Sequence, residues 1–216
     1  MNKAFIFDMD GVIVDSNPYH KIALQQFCKQ LGYDLTEAQL REKIYGRTNK
    51  DWISNLFGDI GDARIQQYAE EKEALYRQVY DKDIRAVNGL VGFLEKMDAL
   101  GIARAIATSA PRSNVDFSLS KTHTERFFPT ILDDSFVSKG KPDPEIYLKS
   151  AAALGYAPAD CIVFEDSLSG VQAGKQAGCK VVGITTTHSP EELHETDFII
   201  HDFAGLEPQE LISKLF

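Results

Sequence analysis

The sequence predicts an α/β protein: a parallel-sheet core with helices on both faces, interrupted by a small α-helical insert. Three observations carry this. From residue 88 onward, short apolar segments alternate with helical patterns, as in chained strand–helix units. A lone apolar run, residues 3–7 (KAFIF), precedes them all. Between the two, residues 15–83 carry helical spacing and no convincing strand.

The elements follow in order. Residues 3–7 read as a buried strand that stops at the acidic turn Asp8-Met9-Asp10-Gly11. In the insert, Ile22, Leu24, Phe27, Cys28 and Leu31 recur near helical spacing and end at Gly32. Thr36 and Gln39 form a capping-box pattern, a second helix start lies near Thr48, and residues 62–80 make one long polar helix. The core then resumes with a helix over 89–100 closed by Gly101, a strand over 102–108 and a polar helix from about Arg112. A short strand at 130–132 precedes a helix over 144–154, with proline in its first turn and Gly155 after its end. Strands at 161–164, 181–184 and 198–200 enclose a helix over 170–177, and a last helix spans 208–215. Apolar strands alternating with helices imply a sheet covered on both faces. The expected division is residues 1–15 and 86–216 for the core and 16–85 for the insert.

Composition narrows the function. Of the 216 residues, 44% are hydrophobic and 25% charged, enough for a core without disulfides. A net charge of −9, with no dense Lys/Arg run, argues against nucleic acid as partner. Apolar runs are too short for a transmembrane helix, and the MNKAFIFDMDG start does not read as a signal peptide. The three scattered cysteines, Cys28, Cys161 and Cys179, read as small reduced core residues, which points to a cytoplasmic protein.

In open parallel sheets, chemistry gathers beyond the carboxyl ends of the strands. Asp8 and Asp10 follow the first strand, and two such close anions call for a cation or a shared proton. Thr108 and Ser109 follow the second, where hydroxyls and amides can hold a phosphate oxygen. Lys141 sits in KGKPDP, where two prolines stiffen the chain and hold the ammonium in place. Glu165 and Asp166 form a second acidic pair after the 161–164 strand. The sequence has no G-x-x-x-x-G-K-[ST], H-E-x-x-H, G-x-S-x-G or C-x-x-C motif.

FDMDGV, ATS, KGKPDPEIY and VFEDSLSGVQAG, in that order, resemble the four motifs of the haloacid dehalogenase-like superfamily. The best match is its branch of β-phosphoglucomutases and sugar-phosphate phosphatases, and it covers essentially the whole chain. The resemblance implies a Rossmann-like core with a helical cap that closes during phosphoryl transfer, and Mg2+ as cofactor. It makes Asp8 the nucleophile that carries an aspartyl-phosphate and Asp10 the general acid and base. Thr108 (or Ser109) would bind the phosphoryl group, beside Ala110, and Lys141 would steady it. Asp8, the Asp10 carbonyl and Asp166 would hold the metal, with Glu165 supporting its water shell. Dehalogenation and phosphonate cleavage are disfavoured, because those branches lack the second aspartate supplied here by Asp10.

The resemblance also marks His20, Gly46, Arg47, Thr48, Asn49 and Lys72 as cap residues that select the substrate. β-Phosphoglucomutases show G-x-S-R, whose arginine anchors a distal phosphate. Here Asn49 stands in its place and an arginine, Arg47, two positions earlier. The expectation is therefore a monomeric, Mg2+-dependent phosphatase for a small phosphorylated metabolite. A β-phosphoglucomutase-type mutase is the second possibility, and a non-catalytic binding module of the same fold the third.

Overall fold

The computed structural model of the chain describes residues 3–44 and 48–216. Strand β1 (Ala4–Phe7) opens the core. Helices α1 (Asn17–Gln30), α2 (Glu37–Lys43), α3 (Asn49–Phe57) and α4 (Asp62–Tyr80) follow without an intervening strand. The core continues with α5 (Leu90–Ala99), β2 (Ala103–Ala107), α6 (Arg112–Thr122), β3 (Ile131–Leu132) and α7 (Glu145–Leu154). It ends with β4 (Cys161–Glu165), α8 (Leu168–Gln176), β5 (Lys180–Ile184), β6 (Phe198–Ile200) and α9 (Pro208–Leu215). Ser16–Asp83 form one compact unit, and the remaining described residues form another.

All six strands run parallel in the order β3-β2-β1-β4-β5-β6. β1 is thus central, and every residue of β1 and β4 is buried. That is why KAFIF reads as an unbroken apolar run rather than an alternation. One face of the sheet packs Ala4, Ile6, Val163 and Val181 against Tyr147, Ala151, Val171 and Ala173 of the covering helices. The other face is aromatic. Phe7 stacks on Phe164 (centroids 4.8 Å apart, 14° between planes), and Phe5, Phe93 and Phe203 pack around them. Each buried phenylalanine contributes about 1.5–3 kcal/mol.

Local sequence signals account for most element ends. The capping box at α2 forms as read: the Thr36 N–H donates to Gln39 Oε1 (2.9 Å), and the Gln39 N–H to Thr36 Oγ1 (3.3 Å). Thr48 caps α3 and Gly155 closes α7 in the left-handed conformation. Helix α8 starts two residues before the expected Gly170, because the Ser167 hydroxyl accepts the Gly170 N–H (3.1 Å) and sets the cap there. In α1 the buried face is Ala23, Leu24, Phe27 and Cys28, while Ile22 lies on the exposed side.

The helical unit has its own core of Leu24, Phe27, Cys28, Leu40, Ile44, Trp52 and Ile53. Where the chain leaves and re-enters the other unit, Val14 bridges Ala86 antiparallel, and the Val87 N–H donates to the Ile13 carbonyl (2.9 Å). The three thiols are free and buried, and burial pushes Cys28 and Cys161 up to about 11 and Cys179 to about 12. They pack as small apolar side chains. Among the described residues, no helix is long and apolar enough to cross a membrane.

Candidate active site

The sheet order decides which loops meet. β1 lies between β2 and β4, so the residues after these three strands share one edge. The Asp8 N–H donates to the Phe164 carbonyl (3.0 Å), which carries strand pairing one residue past β1 and fixes the buried Asp8 carboxylate there. The loop beyond is tightly turned: the Met9 carbonyl accepts from the N–H groups of Val12, Ile13 and Val14. Gly11 has φ +77°, and a Cβ on it would lie 1.9 Å from Asp166 Oδ2. Only glycine allows both the turn and that approach.

After β2, the Thr108 N–H donates to the Leu132 carbonyl (3.0 Å), and the Thr108 hydroxyl accepts the Ala110 N–H (3.0 Å). Thr108 and Ala110 are buried, whereas Ser109 is exposed. Lys141 reaches the same edge. Its Nζ donates to Asp8 Oδ1 (2.7 Å), Glu165 Oε1 (2.6 Å) and the Ala107 carbonyl (3.3 Å). Its loop is tied down by Glu145 Oε2, which accepts from the N–H groups of Ser138 (2.9 Å) and Lys139 (3.0 Å).

Glu165 is fully buried and heavily bonded. Oε1 accepts from Lys141 and from the Tyr147 hydroxyl. Oε2 accepts from the N–H groups of Asp166 (3.1 Å) and Ser167 (3.2 Å) and from the Ser167 hydroxyl (3.0 Å). A Cβ on Gly170 would strike this carboxylate at 1.8 Å, so the first turn of α8 must be bare to admit it. Asp166, also buried, accepts at Oδ2 from the Thr187 hydroxyl.

Asp8, Glu165 and Asp166 each offer a carboxylate oxygen within 4.8 Å of the others. At that separation two like charges repel by about 3 kcal/mol at an effective dielectric of about 20. Burial raises the Asp8 carboxyl well above the usual carboxylate range; Lys141 opposes this, and Glu165, Asp166 and Asp10 add to it. Burial, then Glu165, push Asp166 up to about 7, against the hydrogen bond from Thr187. Burial alone would lower the Lys141 pKa, but Asp8 and Glu165 outweigh it and hold the ammonium charged. Three carboxylates against one ammonium leave an excess of negative charge in a buried, all-oxygen donor set. A hard divalent cation that takes oxygen ligands fits this set.

The helical unit holds a second polar cluster. Lys72, buried in α4, donates to Glu73 Oε1 (2.9 Å) and His20 Nδ1 (3.0 Å). An ammonium has only donors to offer, so Nδ1 accepts and the ring proton sits on Nε2. The His20 ring stacks on Tyr76 with centroids 3.7 Å apart. Asn49 uses both ends of its amide, donating to Glu73 Oε1 (2.9 Å) and accepting from Trp52 Nε1 (2.9 Å). Thr48 is exposed and bonds to Asp51. Gly46 and Arg47 lie outside the described residues.

Sequence reading passed over three participants. Tyr147 lay inside the KGKPDPEIY motif without a role, Glu73 stood beside Lys72, and Thr187 lies in a TTT run that carries no motif of its own.

Comparisons with known proteins add to this geometry. The model of a family described as haloacid dehalogenase-like hydrolase matches residues 5–184. A phosphorylated carbohydrates phosphatase of Thermotoga maritima is 30% identical over 217 aligned positions, covering 99% of this chain and 98% of that protein. A β-phosphoglucomutase of Bacillus subtilis is 30% identical over 194 positions, covering 84% of this chain and 83% of that protein. A solved structure of a HAD hydrolase, family IA, variant 3, from Entamoeba histolytica superposes with a TM-score of 0.90 at 33% identity, covering 99% of each chain.

Two predictions follow from the electrostatics. Lys141→Met strands two buried carboxylates, so urea unfolding in metal-free buffer should show a loss of about 3–5 kcal/mol; a loss below about 1 kcal/mol would mean that they are compensated otherwise. The second concerns Glu73. Burial would raise its carboxyl, but the neighbouring Lys72 ammonium and the hydrogen bonds from Asn49 and Lys72 overcome that and bring it down to about 2. The stabilisation is therefore complete above its ordinary value of 4.5 and is lost as pH falls towards about 2. Unfolding free energies measured at steps from pH 6 to pH 2 should fall more steeply for the wild type than for Glu73→Gln, and parallel curves would refute this.

Proposed function

This chain belongs to the haloacid dehalogenase-like hydrolases, and we propose that it is a phosphatase acting on a small phosphorylated metabolite of the sugar-phosphate class, through a phosphoryl-enzyme intermediate on Asp8. The observation that carries this is the buried group of Asp8, Lys141, Glu165 and Asp166, in which a lysine holds the Asp8 carboxylate at 2.7 Å. The similarity to phosphatases along nearly the full chain supports it.

Asp8 attacks phosphorus, and the displaced oxygen leaves with a proton from Asp10. Asp10 then accepts a proton from the water that attacks phosphorus, releasing inorganic phosphate and restoring Asp8. Thr108 donates its hydroxyl hydrogen to a phosphoryl oxygen, which can only accept, while the hydroxyl oxygen takes the Ala110 N–H. Lys141 neutralises charge shared by Asp8 and the phosphoryl group. Asp8 and Asp166 with the Asp10 carbonyl would hold Mg2+, and Glu165, its oxygens already engaged, would support the arrangement from behind. When bound, the ion supplies positive charge at the phosphoryl oxygens.

Substrate choice falls to the helical unit, with His20, Lys72, Asn49 and Arg47 as its candidates. The Lys72 charge is already met by Glu73, and both ends of the Asn49 amide are engaged, so neither supplies a spare cation for a second phosphate. This favours hydrolysis over mutase chemistry, which must retain a bisphosphate.

The test is phosphate release from a panel of phosphorylated metabolites. Turnover should cease in excess chelator and return with Mg2+. Asp8→Asn should lower it by about 10^4-fold or more with the fold intact by circular dichroism. Wild-type turnover in that variant would show that another residue attacks. Given β-glucose 1-phosphate and a catalytic amount of the 1,6-bisphosphate, the protein should release phosphate. Rapid formation of glucose 6-phosphate without release would make it a mutase, as its similarity to the Bacillus subtilis enzyme would allow.

A further inference from the structure

The loop after β5 reaches into the site with consecutive hydroxyls. The Thr185 N–H donates to the Ile200 carbonyl (3.0 Å), and its hydroxyl pairs with His201 Nδ1 (2.7 Å), which pins the loop to the sheet edge. Farther along, the Ser189 N–H donates to Glu192 Oε2 (3.0 Å) and the Glu192 N–H to Ser189 Oγ (3.4 Å), closing the loop on itself. Between these anchors, Thr186 donates to the Gly11 carbonyl (2.6 Å) and Thr187 to Asp166 Oδ2.

We propose that Thr187 is a positioning residue for the divalent-metal site, setting the orientation of the Asp166 carboxylate. The inference rests on the reading of Asp8 and Asp166 as metal ligands. A carboxylate turns readily about its last bond, because that torsion is broad and roughly two-fold. Here Oδ2 is caught from two sides. The Thr187 hydroxyl bonds it, and it lies where a Cβ of Gly11 would be, 1.9 Å from that position. Rotation would push it into the Gly11 backbone or break the hydrogen bond. Thr186 fastens the same turn from the other side through the Gly11 carbonyl, so one loop holds both walls of the slot. Fixing a ligand carboxylate in advance removes an ordering cost from metal binding, as outer partners of metal ligands do.

The experiment is Mg2+ titration by calorimetry of the full chain, comparing wild type, Thr187→Val and Thr187→Ser. Valine keeps the shape and removes the donor; serine keeps the donor. Thr187→Val should weaken Mg2+ binding by about 10- to 100-fold, and Thr187→Ser should stay within about threefold of wild type. Equal affinity in Thr187→Val, or an equal loss in Thr187→Ser, would overturn the role of Thr187 while leaving the metal site standing. A wild-type protein that binds no Mg2+ at millimolar concentration would overturn the metal reading and this inference together.

Discussion

A single buried ammonium organises the catalytic edge of this protein. Lys141 stands between Asp8 and Glu165, at 2.7 and 2.6 Å, and supplies the cation that offsets the cost of burying the two carboxylates together. Much of the surrounding structure is legible as what this contact requires. The sheet order puts β1 beside β4, so Asp8 and Glu165 emerge together. Glu145 ties the lysine loop to the first turn of α7, and Tyr147, two residues on, adds its hydroxyl to the oxygen that Lys141 shares. The bare face of Gly170 leaves room for the carboxylate.

The contact satisfies only part of the local charge. Asp166 is drawn to about 7 because burial and Glu165 both disfavour its anion. A site in this condition is prepared for positive charge from outside, whether a metal ion, a proton or both. Phosphoryl transfer makes few covalent demands and rewards charge compensation held in place beforehand. On the proposed reading, the same imbalance would suit the cluster to a dianionic substrate accompanied by a divalent ion.

The sequence disclosed those parts of the fold that depend on neighbours in the chain. KAFIF is apolar throughout because both faces of β1 are covered, and Thr36 with Gln39 announced a helix start through a three-residue contact. The acidic pairs were visible because each lies at a strand end. What stayed hidden was contact between residues far apart. Asp8 and Lys141 are 133 positions apart, and Thr187 lies 21 beyond Asp166, so no periodicity links them. Lys72 shows the limit from the other side. The resemblance marked it as a substrate-selecting residue, but the polar pattern of its helix gave no sign that the fold buries it with His20 and Glu73, where the charges and ring nitrogen satisfy one another. A helical pattern records which residues are polar, but not which polar residues meet.

The clasp at Val14 and Ala86 has a consequence for how such a protein can change over time. The bridge, with the Ile13 to Val87 hydrogen bond, holds the departing and returning chain side by side within the core. The intervening segment is therefore an excursion from one point, and its closure is borne by the clasp rather than by its own contents. Closure entropy grows only with the logarithm of length, about 0.6 kcal/mol per doubling. Lineages can lengthen, trim or replace this segment while strand register and the chemistry at the sheet edge stay untouched. Change inside the excursion is then decoupled from the residues that the sheet holds in register.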